Sequence, residues 1–472
     1  MKIYPPIQPP PLFKGISGID PKIIDKRGYE LEGTVSVRWS DVFQDLPKPI
    51  YSDFGIAAIR KAAEEVLEKV DMSMIKPEDT VNILGAHHGF TILGGHAYAE
   101  MLRTIKDVVE KRTGCRNIRL RIGVGNRWRE GEEYIKHFKL DEYFGPGKAT
   151  GIAPVDEGIP IETELGVLYG LKKAYDSDWI IVAHNNDIRE LYFHREIDRA
   201  LKPFAMAFAR IETRSAYHTG FILRSANLIG RVIYESPFVQ KKWAFACYLT
   251  IAPTGIVDVV ANNDMIALSR YIDIFNLKYY GKIVKLYGEI PECITVFDQS
   301  TATSYALAGG ISFCTFYNAH IDLFDLDVPT GTSITRYGFE ELAAPFGIGT
   351  HNPAIKAFVI NYMWAGLKGL TALTKTYPTI VVKREQADLY KLDTQTRGAM
   401  DYAVIADNLD QAMNFAYKIA KTRNVIIFDG TLGGVNVSEP LAKLFFEKAS
   451  DVSEKVEKTL LPKWLKQRGI DL

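Results

Sequence analysis

The chain of 472 residues has little cysteine, no excess of either charge and no long apolar run. Its four cysteines, Cys115, Cys247, Cys293 and Cys314, show no C-x-x-C spacing. That excludes a disulfide framework and a cysteine zinc site, and it suits free thiols in a reducing cytoplasm. Lys plus Arg and Asp plus Glu are equal at 57 each, so the basic excess of a nucleic-acid binder is missing. No stretch reaches the roughly 18 apolar residues of a membrane span. Internal repeats are absent, and so is low-complexity sequence outside the first dozen residues.

What is present is globular. Hydrophobic residues make up 47% and charged residues 24% of the chain, near the averages for folded domains. The start, MKIYPPIQPPPLF, is too rich in proline for the apolar core of a signal peptide and reads as an extended arm.

From about residue 50 to 185, helical and strand periodicities alternate. Helices are expected over 54–70, 96–112, 129–138 and 163–175, and strands over 81–84, 118–124 and 179–182. A second series of strands is expected at 283–287, 294–297, 311–317, 379–382, 402–405 and 425–428, with helices at 354–375 and 409–421. This pattern implies an α/β protein, with two α/β domains of mostly parallel sheets and a cleft between them. The expected boundaries are 1–275 for a cofactor-binding domain that includes the arm 1–12, then 276–440 for the second domain. Residues 441–472 are expected to form a helix packing back on the first domain.

Ligands of open parallel sheets bind beyond the carboxyl ends of the strands. Three expected strands end in polar clusters: Gly85-Ala86-His87-His88-Gly89, Gly123-Val124-Gly125-Asn126-Arg127-Trp128 and His184-Asn185-Asn186-Asp187. Together they would line one rim. Nucleotide motifs are incomplete: G-V-G-N-R-W lacks the third glycine of a dinucleotide fingerprint, and no P-loop, H-E-x-x-H or G-x-S-x-G is present. The pair His87-His88 matches no standard metal spacing. Lys202 stands in an otherwise apolar run from Ala200 to Ala209, and His218 follows sixteen residues later. A lysine in such surroundings either acts as a nucleophile or reaches out to water along its apolar stem.

Taken in order, these residues resemble the nickel-pincer lactate racemase family of 2-hydroxyacid racemases and epimerases. GAHHGFTI occupies the place of the family's first loop, and GVGNRWREGEEYIKHF looks like its second. GIAPVDEGIPIETELGVLYGLKKAYDSDWIIV is similar to the stretch leading into its third strand. Lys202 to His218 has the family's lysine-to-histidine interval, with Ile211-Glu212-Thr213 between them. The likeness covers about residues 75–265. There are departures: the first-loop aspartate is replaced near Ala86 or His87, the second-loop histidine is Asn126, and His184 and His194 flank the third-strand histidine position.

The resemblance implies an isomerase that racemises or epimerises a 2-hydroxy acid or sugar acid. Its cofactor would be a nickel-pincer nucleotide, a pyridinium thioamide/thiocarboxylate mononucleotide, with Lys202 as the covalent tether and His218 as a nickel ligand. His87 or His88, with His184 or His194, would be the acid–base pair, and Arg127 with Asn126 would bind cofactor or substrate. The implied partner is a small hydroxy acid; composition points to no nucleic acid and no membrane, and a homo-oligomer is left open. The departures leave a second reading open: a relative without this catalysis, or with another, that binds a small organic acid or a nucleotide.

Overall fold

A computed structural model describes residues 1–12, 19–51, 55–90, 95–124, 129–186, 200–217, 226–299, 316, 319–322, 324–327, 352–363, 370–392, 396–431 and 433–471. The chain is α/β and forms two compact units. Its strands are β1 Thr34–Arg38, β2 Thr80–Ala86, β3 Asn117–Gly123, β4 Ala149–Ile152, β5 Gly158–Thr163, β6 Gly166–Leu171, β7 Trp179–Asn185, β8 Trp243–Ala252 and β9 Gly255–Asn262. They continue with β10 Cys293–Asp298, β11 Ile355–Tyr362, β12 Thr379–Val382, β13 Ala403–Ala406, β14 Val425–Phe428 and β15 Gly434–Ser438.

One unit contains the described residues between 49 and 276. Its six-stranded sheet has the order β4-β3-β2-β7-β8-β9 and is parallel except for the β8–β9 hairpin. The order reverses direction at β2: β3 and β4 extend one edge, while β7 and β8 extend the other. β2 and β8 are buried along nearly their whole length, as expected for parallel strands covered on both faces. The helix His96–Thr113 covers one face. It is bounded by glycines at both ends, Gly95 at φ 78° and Gly114 at φ 76°, positions that favour a residue without Cβ. The other face carries a core of Leu84, Ile180, Val182, Leu201, Phe204 and Tyr248, among others.

The other unit contains residues 1–48 and the described residues from 277 onward. Its seven-stranded sheet runs β1-β15-β14-β10-β11-β12-β13, parallel from β14 to β13 and antiparallel at the β1 edge. The arm belongs here. Tyr4 pairs antiparallel with Ser36 of β1, and the Ile7 backbone donates to and accepts from the Asn436 side chain of β15.

Two expectations about organisation need correction. Residues 1–48, arm included, join the second unit and not the first, because β1 completes that unit's sheet by pairing with β15. The C-terminal helix Glu439–Lys455 packs on β1 and β15 within the same unit. Trp464 is fully buried beside Gly281 and Phe324 there, so the C-terminal segment belongs to the second unit.

Three local expectations also change. The segment expected as a helix over 163–175 is the β5–β6 hairpin followed by one helical turn, Lys172–Tyr175. Val167 and Tyr169 are exposed while Leu168 and Gly170 are buried, which is a period of two, and Gly166 at φ 93° makes the turn. Residues 283–287 end the long helix Met265–Tyr287 instead of forming a strand. No glycine or proline interrupts that helix before Gly281, so its apolar end continues it. Within 354–375 the chain forms β11 and then, from Leu370, a helix to Thr376. A strand buried on both faces is apolar throughout, and period alone does not separate it from a buried helix. The strand expected at 311–317 lies, except for Phe316, outside the described residues. Among the described residues no helix is long and apolar enough to cross a membrane.

Candidate functional site

The first unit's order reversal between β2 and β7 is a topological switch point, where neighbouring loops diverge and leave a crevice. The β2–β7 ladder runs as far as Leu84↔Val182. Beyond it the Tyr98 hydroxyl enters between the strands, accepting from the Ala86 amide at 3.1 Å and donating to the Ala183 carbonyl at 2.6 Å. Burial pushes that phenol's pKa up, so it stays a neutral donor. Gly85 is required there: a Cβ would come within 2.8 Å of the Tyr98 oxygen.

The histidines meet at this reversal. His87 and His88 follow β2 in a single 3-10 turn, and His184 lies near the end of β7. The His87 and His88 rings are 3.8 Å apart, and those of His88 and His184 are 6.4 Å apart. His87 is buried, with Nδ1 3.3 Å from the Gly123 carbonyl and Nε2 3.7 Å from the Glu130 carboxylate. Glu130 opens the helix Glu130–His137, where a carboxylate also suits the positive end of the helix dipole. His184 is buried, holds Nδ1 2.8 Å from the Asn185 amide nitrogen, and stacks toward Tyr248 at 5.7 Å. The structure therefore brings three of the expected residues into one cluster and ties one of them to β3 as well.

Lys202 starts the short helix Lys202–Ala205 and is half-buried. Its Nζ lies 5.7 Å from the centre of the Tyr217 ring. The Tyr248 hydroxyl donates to the Ala200 carbonyl at 2.8 Å, joining the lysine's segment to β8 behind His184. Asn126, Arg127, His194 and His218 lie outside the described residues.

Two participants carry no signal in the sequence. Glu130 is one of several acids on an ordinary amphipathic helix. Arg214 is buried in the helix Ile211–Ser215, where its Nε donates to the Ala209 carbonyl at 3.0 Å and its Nη1 to the Val124 carbonyl at 2.8 Å. Desolvation pushes its pKa down to about 10, still charged at neutral pH. It braces the end of β3 against the segment that leads to His218. A basic residue four before a histidine looks like surface until the fold buries it.

The second unit has its own switch point, between β14 and β10, with Asp298, Gln299, Asn361 and Asp429 at the strand ends. Here the chain itself meets most of the carboxylate and amide groups, while the Gln299 side chain has no hydrogen-bond partner among the described residues. Arg27 pairs with Asp298 at 2.7 Å, Asn361 donates to Asp298, and Asn436 links Asp429 to the arm. Among the described residues no group of three or more His, Cys, Asp or Glu is placed to hold a metal ion.

No family model and no curated protein matches the sequence. Among solved structures, the chain is similar to the lactate racemase apoprotein from Thermoanaerobacterium thermosaccharolyticum, at 13% identity and a TM-score of 0.41, covering 83% of this chain and 94% of that one.

Proposed function

We propose that the first unit binds a small 2-hydroxy acid at the β2–β7 switch point and moves protons there, as a racemase or epimerase of the nickel-pincer type. The observation that carries this reading is the cluster of His87, His88 and His184 at the point where the sheet order reverses. An imidazole can both take and give a proton, which is what such a site needs. In His87 the Gly123 carbonyl and Glu130 carboxylate face the two ring nitrogens and fix the ring's plane.

The chain's residues are compatible with the tethered cofactor. Lys202 reaches the ring of Tyr217, the residue that precedes His218 in the sequence. Lys202 would hold the nucleotide and His218 its nickel. When bound, the group supplies a hydride acceptor, which a protein side chain lacks. The histidines supply the rest: one takes the hydroxyl proton and another returns it, from different strand ends. Arg127, following β3, is the candidate for the substrate carboxylate, where a planar guanidinium makes paired contacts.

The test is the intact mass of the protein co-expressed with enzymes that build the cofactor, with peptide mapping and nickel quantitation. Support is an adduct on Lys202 with near-stoichiometric nickel, lost in Lys202→Ala. An unmodified lysine and no nickel would overturn the tether. The second reading, an organic-acid binder without this catalysis, is favoured by the missing first-loop aspartate. Binding of a hydroxy acid without interconversion of its enantiomers would establish it.

A further inference from the structure

Asn185 is the last residue of β7 and is only 1% exposed, yet neither its Nδ2 nor its Oδ1 has a hydrogen-bond partner among the described residues. Buried amides almost always find partners, because leaving both ends unmet forfeits hydration without return. Its neighbours follow the rule. Asn186 accepts from the Ile251 amide and donates to the Ile251 carbonyl and Asn276, and Asn82 donates to Lys173, Ala174 and Asp176. Gln299 in the other unit is likewise unmet, but among the described residues of this unit Asn185 is the one such amide, at the switch point and one residue from His184.

Its direction follows from the strand. Side chains alternate faces along β7. His184 points to the side of Tyr248 and the core behind it. Asn185 points to the opposite side, that of Ala183 and, across the sheet, Gly85, whose Cβ position faces Tyr98 of the helix His96–Thr113. That helix begins at the same end of the sheet.

We propose that the Asn185 carboxamide reads the hydroxyl–carboxylate edge of a 2-hydroxy acid, as a specificity-determining residue of the site. The inference rests on the functional reading above and deepens it. A carboxamide presents one donor and one acceptor side by side. A 2-hydroxy acid offers the complement in the resting complex: its hydroxyl donates to Oδ1, before that proton passes to a histidine, while a carboxylate oxygen accepts from Nδ2. The matching 2-keto acid has no hydroxyl proton, so its carbonyl would oppose Oδ1 with a second acceptor. The site thus prefers the alcohol to the ketone, and retains the oxidised intermediate less tightly than the substrate.

The experiment compares wild type, Asn185→Leu, Asn185→Asp and His87→Ala with D-lactate, L-lactate and pyruvate, by thermal shift and calorimetric titration. In the wild type at least one lactate enantiomer binds at least tenfold more tightly than pyruvate. Asn185→Leu alone is as stable as wild type or melts higher, since it removes an unmet buried amide, but binds that lactate at least tenfold more weakly. Asn185→Asp places a second carboxylate against the ligand and loses binding further. Unchanged lactate affinity in Asn185→Leu, with binding lost in His87→Ala, would overturn the role of the amide and leave the histidine site standing. Loss in Asn185→Leu with no effect of His87→Ala would keep the amide and remove the histidines. A melting temperature of Asn185→Leu several degrees below wild type would assign Asn185 a structural role, and a wild type that binds neither lactate would overturn both.

Discussion

The Glu130 carboxylate lies 3.7 Å from Nε2 of His87, while the other ring nitrogen of that histidine faces the Gly123 carbonyl at 3.3 Å. One imidazole is thus held by two segments that the sequence places more than thirty residues away. His87→Ala is expected to lower interconversion of 2-hydroxy acid enantiomers by about 10²–10⁴-fold, the usual contribution of a positioned acid–base group. Glu130→Gln keeps the shape but weakens the hold, and should cost less than His87→Ala. Chiral chromatography of the product measures both. Equal activity of His87→Ala and wild type would remove His87 from the chemistry.

Gly123 ends β3 against the backbone of Ala207, where an added Cβ would lie 2.2 Å from the carbonyl oxygen. Backbone cannot yield as a flexible side chain does. Gly123→Ala should therefore destabilise the protein by about 1–3 kcal/mol, the range for overpacking. It should also displace the carbonyl that faces His87, so activity falls more than stability alone predicts. Denaturant unfolding and turnover measured on the same preparation test this.

Asp429 is buried at the end of β14, and its pKa is pushed up to about 6 from 3.8 chiefly by desolvation, against the opposing N–H donors of Thr431 and Asn436. Its folded value lies above its unfolded one, so between about pH 4 and 6 the folded state binds more protons. Stability from this group is then greatest below the unfolded pKa, falls as pH rises through 6, and stays low above it. Two pKa units correspond to at most about 3 kcal/mol. Asp325, held down to about 2 by Lys463 and Gln467 against the opposing effect of burial, has the opposite sign and acts at lower pH. Urea unfolding from pH 4 to 7 should show the Asp429 decline in wild type and a flatter profile in Asp429→Asn. An unchanged profile would reassign the decline.

Lys282 has no exposed side-chain surface, and its ammonium bridges Asp45 at 2.5 Å and Glu457. Removing one partner of a buried pair costs about 3–5 kcal/mol when the charge left behind is buried. Here Asp45 and Glu457 remain 40% and 43% exposed, so they rehydrate. Lys282→Met, close in shape, should cost less than that range, about 1–2 kcal/mol. Chemical denaturation checks it, and a change under about 0.3 kcal/mol would show the bridge to be idle.

Much of the first unit was legible from residues alone. The amphipathic helix over 96–112, the strands at 81–84, 118–124 and 179–182, and the polar strand ends all follow from local period and turn chemistry, and the sheet carries them where parallel-sheet logic puts them. The same logic failed at Val167–Leu171 and at Ile355–Tyr362. In the first a hairpin's alternation hid beside Lys172 and Lys173; in the second a strand buried on both faces has no period to read. Local sequence also said that His87, His88 and His184 stand at strand ends, because that depends only on where apolar runs stop. It did not say that β2 and β7 are neighbours, that Glu130 faces His87, that Arg214 is buried, or that the arm and β1 complete the second unit's sheet. Those depend on strand order and on contacts between distant segments. Such contacts are chosen by the burial of whole faces at once, and no short window of sequence carries that information.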